Sequence, residues 1–335
     1  MKRSGKFFSC LISVLVVVSV CGCCSLKNTA VGNERRPNIA VAWNNTRSYS
    51  YESALRAAKE LDANIIELGM LRSYYLEYDD DGMLIDFKDG NGMLTSEAAK
   101  IIKTHTWKNS DVEKAMKGID AVIFPGGSDI SPTLYRNEQP WHGIPEETDY
   151  CAERDVSDYM LMSYCLDNDI PLLGICRGMQ MLSVVSGVDL IQDIEKYYAD
   201  RGIDYSGVHR DPEKKDLVPH PVKILDKHSL IYKIVGKENL EGCPSWHHQA
   251  VWNFLGPKLK FTAVTMTDGL PMIEAVERED KTFCLGVQFH LEIAIRRALE
   301  KADSASKFMD YDTAMKFFRA LLDRAREQKR QDDAA

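Results

Sequence analysis

Cys176 stands at the centre of Gly174-Ile175-Cys176-Arg177-Gly178, which follows the apolar pair Leu172-Leu173 and precedes helical spacing over residues 179–185. A cysteine placed where a buried strand turns sharply into a helix projects from a tight corner, and glycines two residues to either side let the backbone make that turn. The helix N-terminus favours a thiolate at Cys176, and the backbone N–H groups there can receive an oxyanion. The chemistry this predicts is attack by sulfur on a carbonyl carbon. A buried structural thiol would read the same way, so the prediction depends on a partner base.

Gly286-Val287-Gln288-Phe289-His290-Leu291-Glu292 supplies a base and something to hold it. In extended chain, residues two apart share a face, so Glu292 is expected beside His290, fixing its tautomer and orientation. The 114 residues separating Cys176 from His290 suit a constellation that the fold assembles. Pro125-Gly126-Gly127-Ser128 is the third element. Its consecutive glycines free the backbone to aim an N–H inward as a second oxyanion donor, although a simple tight turn would look alike.

These residues need an α/β sheet to position them. Residues 38–43, 64–68, 121–124 and 172–175 are short apolar runs suited to buried parallel strands, with helical spacing over 51–61, 111–117 and 154–166. Strand, helix, strand order predicts right-handed crossovers. Residues 222–225, 261–266, 272–276 and 283–289 resemble further strands, and 313–326 an amphipathic closing helix. Residues 69–108 read as an insertion, in which residues 83–87 would form one arm of a hairpin between Asp79-Asp80-Asp81-Gly82 and Asp89-Gly90-Asn91-Gly92. Neither acidic stretch continues into a twelve-residue calcium loop with a closing Glu, so both read as solvated turns.

The chain has 335 residues, 42 Lys plus Arg and 50 Asp plus Glu. Residues 1–22 hold Lys2, Arg3 and Lys6 and no acid, which leaves the remainder at 39 minus 50, or −11. That balance argues against nucleic acid as a partner. The cationic start and the apolar run over residues 7–20 read as an export signal, too short to span a bilayer. Val20-Cys21-Gly22-Cys23 is similar to a bacterial lipoprotein signal with Cys23 as the lipidated residue, so an exported, membrane-anchored protein is expected, with residues 23–37 as a tether. A cleaved signal without lipid, or a retained one, are the alternatives. Residues 38–328 are expected to form the folded body and 329–335 a polar tail. The body keeps five widely spaced cysteines, Cys151, Cys165, Cys176, Cys243 and Cys284, which suggest neither a disulfide framework nor a zinc site. His209, His220, His247 and His248 lack H-E-x-x-H or comparable spacing, so no metal site is expected; Trp141-His142-Gly143 reads as loop.

Taken together, the segments resemble the class I glutamine amidotransferase-like superfamily, most closely its gamma-glutamyl hydrolase branch of cysteine peptidases. Gly174 to Gln180 and Gly286 to Glu292 carry the resemblance with Pro125-Gly126-Gly127-Ser128-Asp129-Ile130-Ser131-Pro132, Arg154-Asp155, Gln192-Asp193-Ile194, Ser245-Trp246-His247-His248-Gln249-Ala250-Val251, and Asp268-Gly269-Leu270 with Ile273-Glu274-Ala275. It implies a flavodoxin-like three-layer sandwich with a mostly parallel central sheet and a nucleophile elbow. Cys176 would be the nucleophile, His290 the base and Glu292 its orienting partner, with the N–H groups of Gly127 and Arg177 as oxyanion hole. Gly126, Ser128, Gln180, Ser245 and His247 would contact a small-molecule or peptide gamma-glutamyl substrate, through a thioester and without metal or organic cofactor. A glutaminase module feeding a synthetase, or a non-catalytic ligand-binding lipoprotein of the same fold, are the competing readings. The chain departs from the family pattern at Leu291, where proline is usual and would restrain His290, at Ser186-Gly187 in place of Gly-Gly, and at Pro244 in place of Asn.

Overall fold

The computed structural model describes residues 36–211, 217–252 and 258–332; the lipidation expected at Cys23 and the leader lie outside them. The strands are β1 (Asn38–Val41), β2 (Asn64–Glu67), β3 (Ala121–Phe124), β4 (Leu172–Ile175), β5 (Leu190–Ile191), β6 (Val218–Ile224), β7 (Asn239–Ser245), β8 (Ala250–Val251), β9 (Leu259–Thr267), β10 (Leu270–Arg278) and β11 (Cys284–Val287). The helices are α1 (Tyr49–Lys59), α2 (Ser96–His105), α3 (Val112–Ala115), α4 (Ala152–Asp167), α5 (Arg177–Val185), α6 (Ile194–Ala199), α7 (Leu230–Val235), α8 (Leu291–Leu299) and α9 (Tyr311–Asp332). Among the described residues no helix is long and apolar enough to cross a membrane.

One nine-stranded sheet runs in the order β2-β1-β3-β4-β11-β10-β9-β6-β7. The first five strands are parallel, and the last four form an antiparallel wing. β3, β4 and β11 are buried at every position, as expected where helices cover both faces and the strand reads as a continuous apolar run. Alternation along the strands divides the core. Ala40, Val122, Phe124 and Leu172 pack with Ile102 of α2, Met160 of α4 and Leu182 of α5. Ile39, Val41, Ile123, Leu173 and Val287 pack with Ala54 of α1, Ile295 of α8 and Phe317 of α9. Successive side chains point to opposite faces, so these two clusters are the two sides of a three-layer, flavodoxin-like sandwich.

The insertion is not a regular hairpin. Tyr78 and Leu84, and Lys88 and Leu94, form isolated bridges around two tight turns. The side chain of Asp79 accepts from the Met83 amide, and that of Asp89 from the amides of Asn91 and Met93. These acids therefore close turns on their own backbone, which is what Asp does well before glycine. Residues 96–105, not expected as helix, form α2 behind the N-cap Thr95 and bury Ala98, Ala99 and Ile102. The segment is docked on α4, where buried Glu153 accepts from the Leu84 amide at 2.9 Å and from Lys88 at 2.6 Å.

Two further differences have physical causes. β7 holds Gly242 and Pro244, and β6 holds Pro219 and Pro221, residues that weaken a strand signal. The strand expected over 283–289 stops at Val287, and α8 begins at Leu291.

Candidate functional site

β3, β4 and β11 are neighbours in the sheet, so the segments that follow them emerge side by side at its C-terminal edge, where open α/β sheets place their sites. Cys176 occupies the corner between β4 and α5 with φ of +52°, a left-handed conformation unusual for a non-glycine residue. The flanking glycines allow the strand and helix to approach. A Cβ on Gly174 would lie 2.6 Å from the Gly178 carbonyl carbon, and one on Gly178 would strike the Phe124 backbone. The sulfur thus stands at the start of α5, where first-turn amides lack partners within the helix.

His290 is the N-cap residue of α8, and its Nδ1 lies 2.7 Å from Glu292 Oε1. Glu292 sits in the first turn of that helix, not on an extended strand, so the expected adjacency arises by a different backbone route. Ser50 of α1 donates a 2.8 Å hydrogen bond to the same carboxylate oxygen. On its other side His290 and Cys176 line the same cavity and pack against the same glycine: a Cβ on Gly126 would lie 2.9 Å from His290 Cε1 and 3.4 Å from Cys176 Cβ. Burial alone would lower the His290 pKa, but the charges of Glu292 and Cys176 and the hydrogen bonds to both raise it well above the ordinary histidine range. That favours an imidazolium between the two groups.

The two departures nearest His290 meet each other here. Leu291 leaves the preceding backbone without a proline's restraint, but the His290 amide donates to the Pro244 carbonyl at 2.8 Å and Leu291 is fully buried. Packing and a backbone hydrogen bond hold His290 in place.

The turn after β3 is held from behind by Arg154 of α4. Its Nη2 donates to the carbonyls of Pro125 and Gly126 at 3.0 and 2.9 Å. In a trans peptide the C=O and N–H point in opposite directions, so clamping the Gly126 carbonyl turns the Gly127 N–H away from Arg154. Gly127 lines both cavities beside Cys176. A Cβ there would fall inside the Arg154 guanidinium. Arg154 also donates to Asp158 at 3.2 Å, while buried Arg177 bonds Asp158 and, at 2.6 Å, Asp155. Asp155 in turn accepts from the Ser131 amide at 3.0 Å. This buried ionic lattice ties the Gly127 turn to the Cys176 corner. Burial lowers the Arg154 pKa to about 10, assisted by the charge of Arg177.

Two cavities meet at Cys176, Gly127, Asp149 and Trp246. One, of about 530 Å³, is walled by Trp43, Tyr49, Ser50, Ser128 and His290. The other, of about 240 Å³, is walled by Asp129, Glu147, Gln180, Arg210, His247 and His248. His248 lies 2.8 Å from Asp129 and 3.2 Å from Asp193. Burial opposes its charge, but those two carboxylates raise its pKa to about 9. Gln180 reaches the smaller cavity, with its amide donating to the Gln249 carbonyl at 2.9 Å.

Of the expected substrate contacts, Ser128, Gln180 and His247 face these cavities. Ser245 does not line either one: it is fully buried and its hydroxyl donates to the His209 carbonyl at 2.8 Å. Gly126 packs behind the site, where a Cβ would meet Ser50 Oγ at 2.7 Å and His290 Cε1 at 2.9 Å. Sequence reasoning did not single out Ser50. At the start of a helix a serine reads as a capping residue, and nothing local points to a partner 242 residues away. The five described cysteines are all free.

The Peptidase C26 family model matches residues 95–292. Over 177 residues the chain is 38% identical to Protein NtpR of Enterococcus hirae, covering 52% of this chain and 67% of that protein. Over 183 residues it is 27% identical to gamma-glutamyl-gamma-aminobutyrate hydrolase of Escherichia coli O157:H7, covering 54% of this chain and 67% of that one. A solved protein of Thermoplasma acidophilum, provisionally described as a GMP synthase component, shares the fold with a TM-score of 0.50 at 13% identity, over 89% of this chain and 98% of that chain. The matched span takes in the Gly127 turn, the Cys176 corner and the His290–Glu292 pair, and the chain belongs to the Peptidase C26 family within the class I glutamine amidotransferase-like superfamily.

Proposed function

We propose that this chain is a cysteine hydrolase that cleaves gamma-glutamyl amide bonds. The observation that supports it best is the position of Cys176: beside a histidine that a buried carboxylate orients, and placed where a small polar cavity meets a larger one with aromatic walls. The smaller space takes the glutamyl group between Asp149 and two ion pairs of its wall, Arg210 with Glu147 at 2.6 Å and His248 with Asp129 at 2.8 Å, whose cations face its carboxylate and whose acids face its ammonium. The larger takes the amine that leaves.

In the first step the Cys176 thiolate attacks the gamma-carbonyl carbon, and the N–H groups of Gly127 and Arg177 receive the oxyanion. The His290 imidazolium gives its proton to the departing amine nitrogen as the C–N bond breaks, leaving a glutamyl thioester. Water then attacks the thioester, His290 takes its proton, and the C–S bond breaks to release glutamate and regenerate the thiolate. Glu292 keeps Nδ1 protonated so that Nε2 faces the sulfur throughout. Export on a lipid at Cys23 belongs to the same proposal and rests on residues 1–25.

A larger leaving amine is favoured over ammonia by the cavity of about 530 Å³ on that side of the sulfur. A panel of gamma-glutamyl amides of increasing amine size, run beside glutamine, tests this. The hydrolase reading expects at least one such amide to exceed glutamine in kcat/KM by tenfold or more. Preference for glutamine would support the glutaminase reading instead.

A further inference from the structure

Beneath the smaller cavity, three histidines and a glutamate converge in a buried cluster that the hydrolytic reading does not use. His209 lies in the loop before β6, His220 on β6, His247 after β7 and Glu274 on β10. All four are buried, and the facing atoms His209 Nδ1, His220 Nε2, His247 Nε2 and both oxygens of Glu274 have no hydrogen-bond partner among the described residues. His209 Nδ1 is 3.3 Å and His220 Nε2 is 3.7 Å from Glu274 Oε1. Ligand atoms of His209, His247 and Glu274 all lie within 4.8 Å of one another.

The outer nitrogens decide what the inner ones present. His247 Nδ1 is 2.8 Å from the Gln249 carbonyl, which can only accept, so Nδ1 carries the proton and Nε2 turns a lone pair inward. His220 Nδ1 is 3.1 Å from the Pro221 carbonyl and from Thr265 Oγ1, whose own hydrogen is donated to that carbonyl at 2.6 Å. Nδ1 is therefore a donor here as well, and Nε2 faces inward unprotonated. His209 Nε2 is 2.9 Å from Thr267 Oγ1, leaving Nδ1 toward Glu274.

His220 Nε2, His247 Nε2 and the Glu274 carboxyl oxygens thus turn lone pairs toward one buried space, while His209, whose Thr267 partner can donate or accept, can present either form of Nδ1. Buried polar atoms left unmatched are costly, so a fold that converges five of them calls for a partner. We infer that these four side chains bind a divalent transition metal ion of the zinc class at a structural site. Three imidazoles and a carboxylate are borderline donors suited to tetrahedral zinc, and each histidine has the outer hydrogen bond that orients metal ligands. Tetrahedral zinc holds ligand atoms about 3.3 Å apart; side-chain shifts close His209, His247 and Glu274 on that geometry, and His220, which lies outside their grouping, must swing in from its place 3.7 Å from Glu274. Four protein ligands leave no open position, which makes the ion a brace. It would tie β6 and β10 to the His209 and His247 segments, and His247 is a wall of the cavity beside Cys176.

The test is made in Cys176→Ala protein, which removes the thiol that could capture zinc at the other site. The protein is stripped with chelator, reloaded with Zn2+ or Co2+, desalted, and assayed for metal content, visible absorption and thermal midpoint. The inference predicts about one equivalent of metal, visible Co2+ bands of tetrahedral intensity without a thiolate charge-transfer band, and a Tm that rises with Zn2+. Glu274→Gln and His220→Gln should each weaken Zn2+ binding at least tenfold. His248→Ala should not, although His248 approaches Glu147 and Asp193 in a second grouping of ligand atoms. Failure of the parent Cys176→Ala protein to retain zinc, gain cobalt bands or shift its Tm overturns the inference without recourse to the variants, as would loss of the metal in His248→Ala alone.

Discussion

Ser50 and Glu292, 242 residues apart in the chain, are joined by a 2.8 Å hydrogen bond in which the Ser50 hydroxyl donates to the carboxylate oxygen that also contacts His290 Nδ1. The serine belongs to α1 and the glutamate to α8, two helices packed on the same face of the sheet. The orienting carboxylate is therefore itself oriented.

Ser50→Ala should lower kcat by about tenfold, the equivalent of ~1.4 kcal/mol from one hydrogen bond to a charged group. KM should change little, since the lost contact positions the base. Steady-state kinetics with a gamma-glutamyl amide measure both, and a rise in KM at unchanged kcat would contradict the assignment.

The pH dependence follows from His290. Burial disfavours its charged form, but Glu292 and Cys176 more than offset this and hold the pKa well above the usual histidine range. The imidazolium is the proton donor in acylation, so the rate falls as pH rises and that proton is lost. The alkaline limb of kcat/KM should lie well above about pH 6.5, and Glu292→Gln should move it down toward that value by removing the charge that favours protonation. A limb at the same pH in both proteins counts against the coupling.

Gly127→Ala asks whether the turn after β3 supplies an oxyanion donor. The new Cβ and the Arg154 guanidinium cannot share one place, so either the peptide turns or the guanidinium leaves the Pro125 and Gly126 carbonyls it holds, and either change loosens the aim of the Gly127 N–H. Losing one such donor typically lowers kcat by about 10²–10³. Stopped assays of kcat with circular dichroism as a control for folding would show it; a folded variant with wild-type kcat would remove Gly127 from the mechanism.

The buried lattice behind the site predicts a stability effect. Arg177→Met leaves Asp155 and Asp158 without their shared cation and should cost about 3–5 kcal/mol, read from the urea midpoint. Burial pushes the Asp155 pKa up to about 6 against the pull of Arg177. Without Arg177 it should rise further. An acid whose folded pKa exceeds its unfolded value gives stability at low pH that is lost as pH climbs through the folded value, so the variant should be more impaired at pH 8 than at pH 5. Equal loss at both would mean the carboxylate is not the source.

What could be read in advance follows from burial. β3, β4 and β11 announce themselves because strands covered on both faces are continuous apolar runs, and the segments carrying Gly127, Cys176 and His290 follow them directly. The antiparallel wing is harder: β7 contains Gly242 and Pro244, and neither residue suggests a strand. Glu292 is correctly placed beside His290 by spacing, yet the spacing implies a strand where the chain begins α8. Ser50 and the histidine cluster are invisible locally, because each joins residues from segments far apart that only the folded sheet brings together. Ser245, expected at the substrate, instead braces the His209 carbonyl from a fully buried position.

The most direct measurement is intact and peptide mass spectrometry of the enzyme quenched during turnover of a gamma-glutamyl amide. One glutamyl group is expected on the peptide carrying Cys176, accumulating when deacylation is slowed, with neither adduct nor hydrolysis in Cys176→Ala. Hydrolysis that persists in Cys176→Ala, or a glutamyl group carried by another residue, would contradict this.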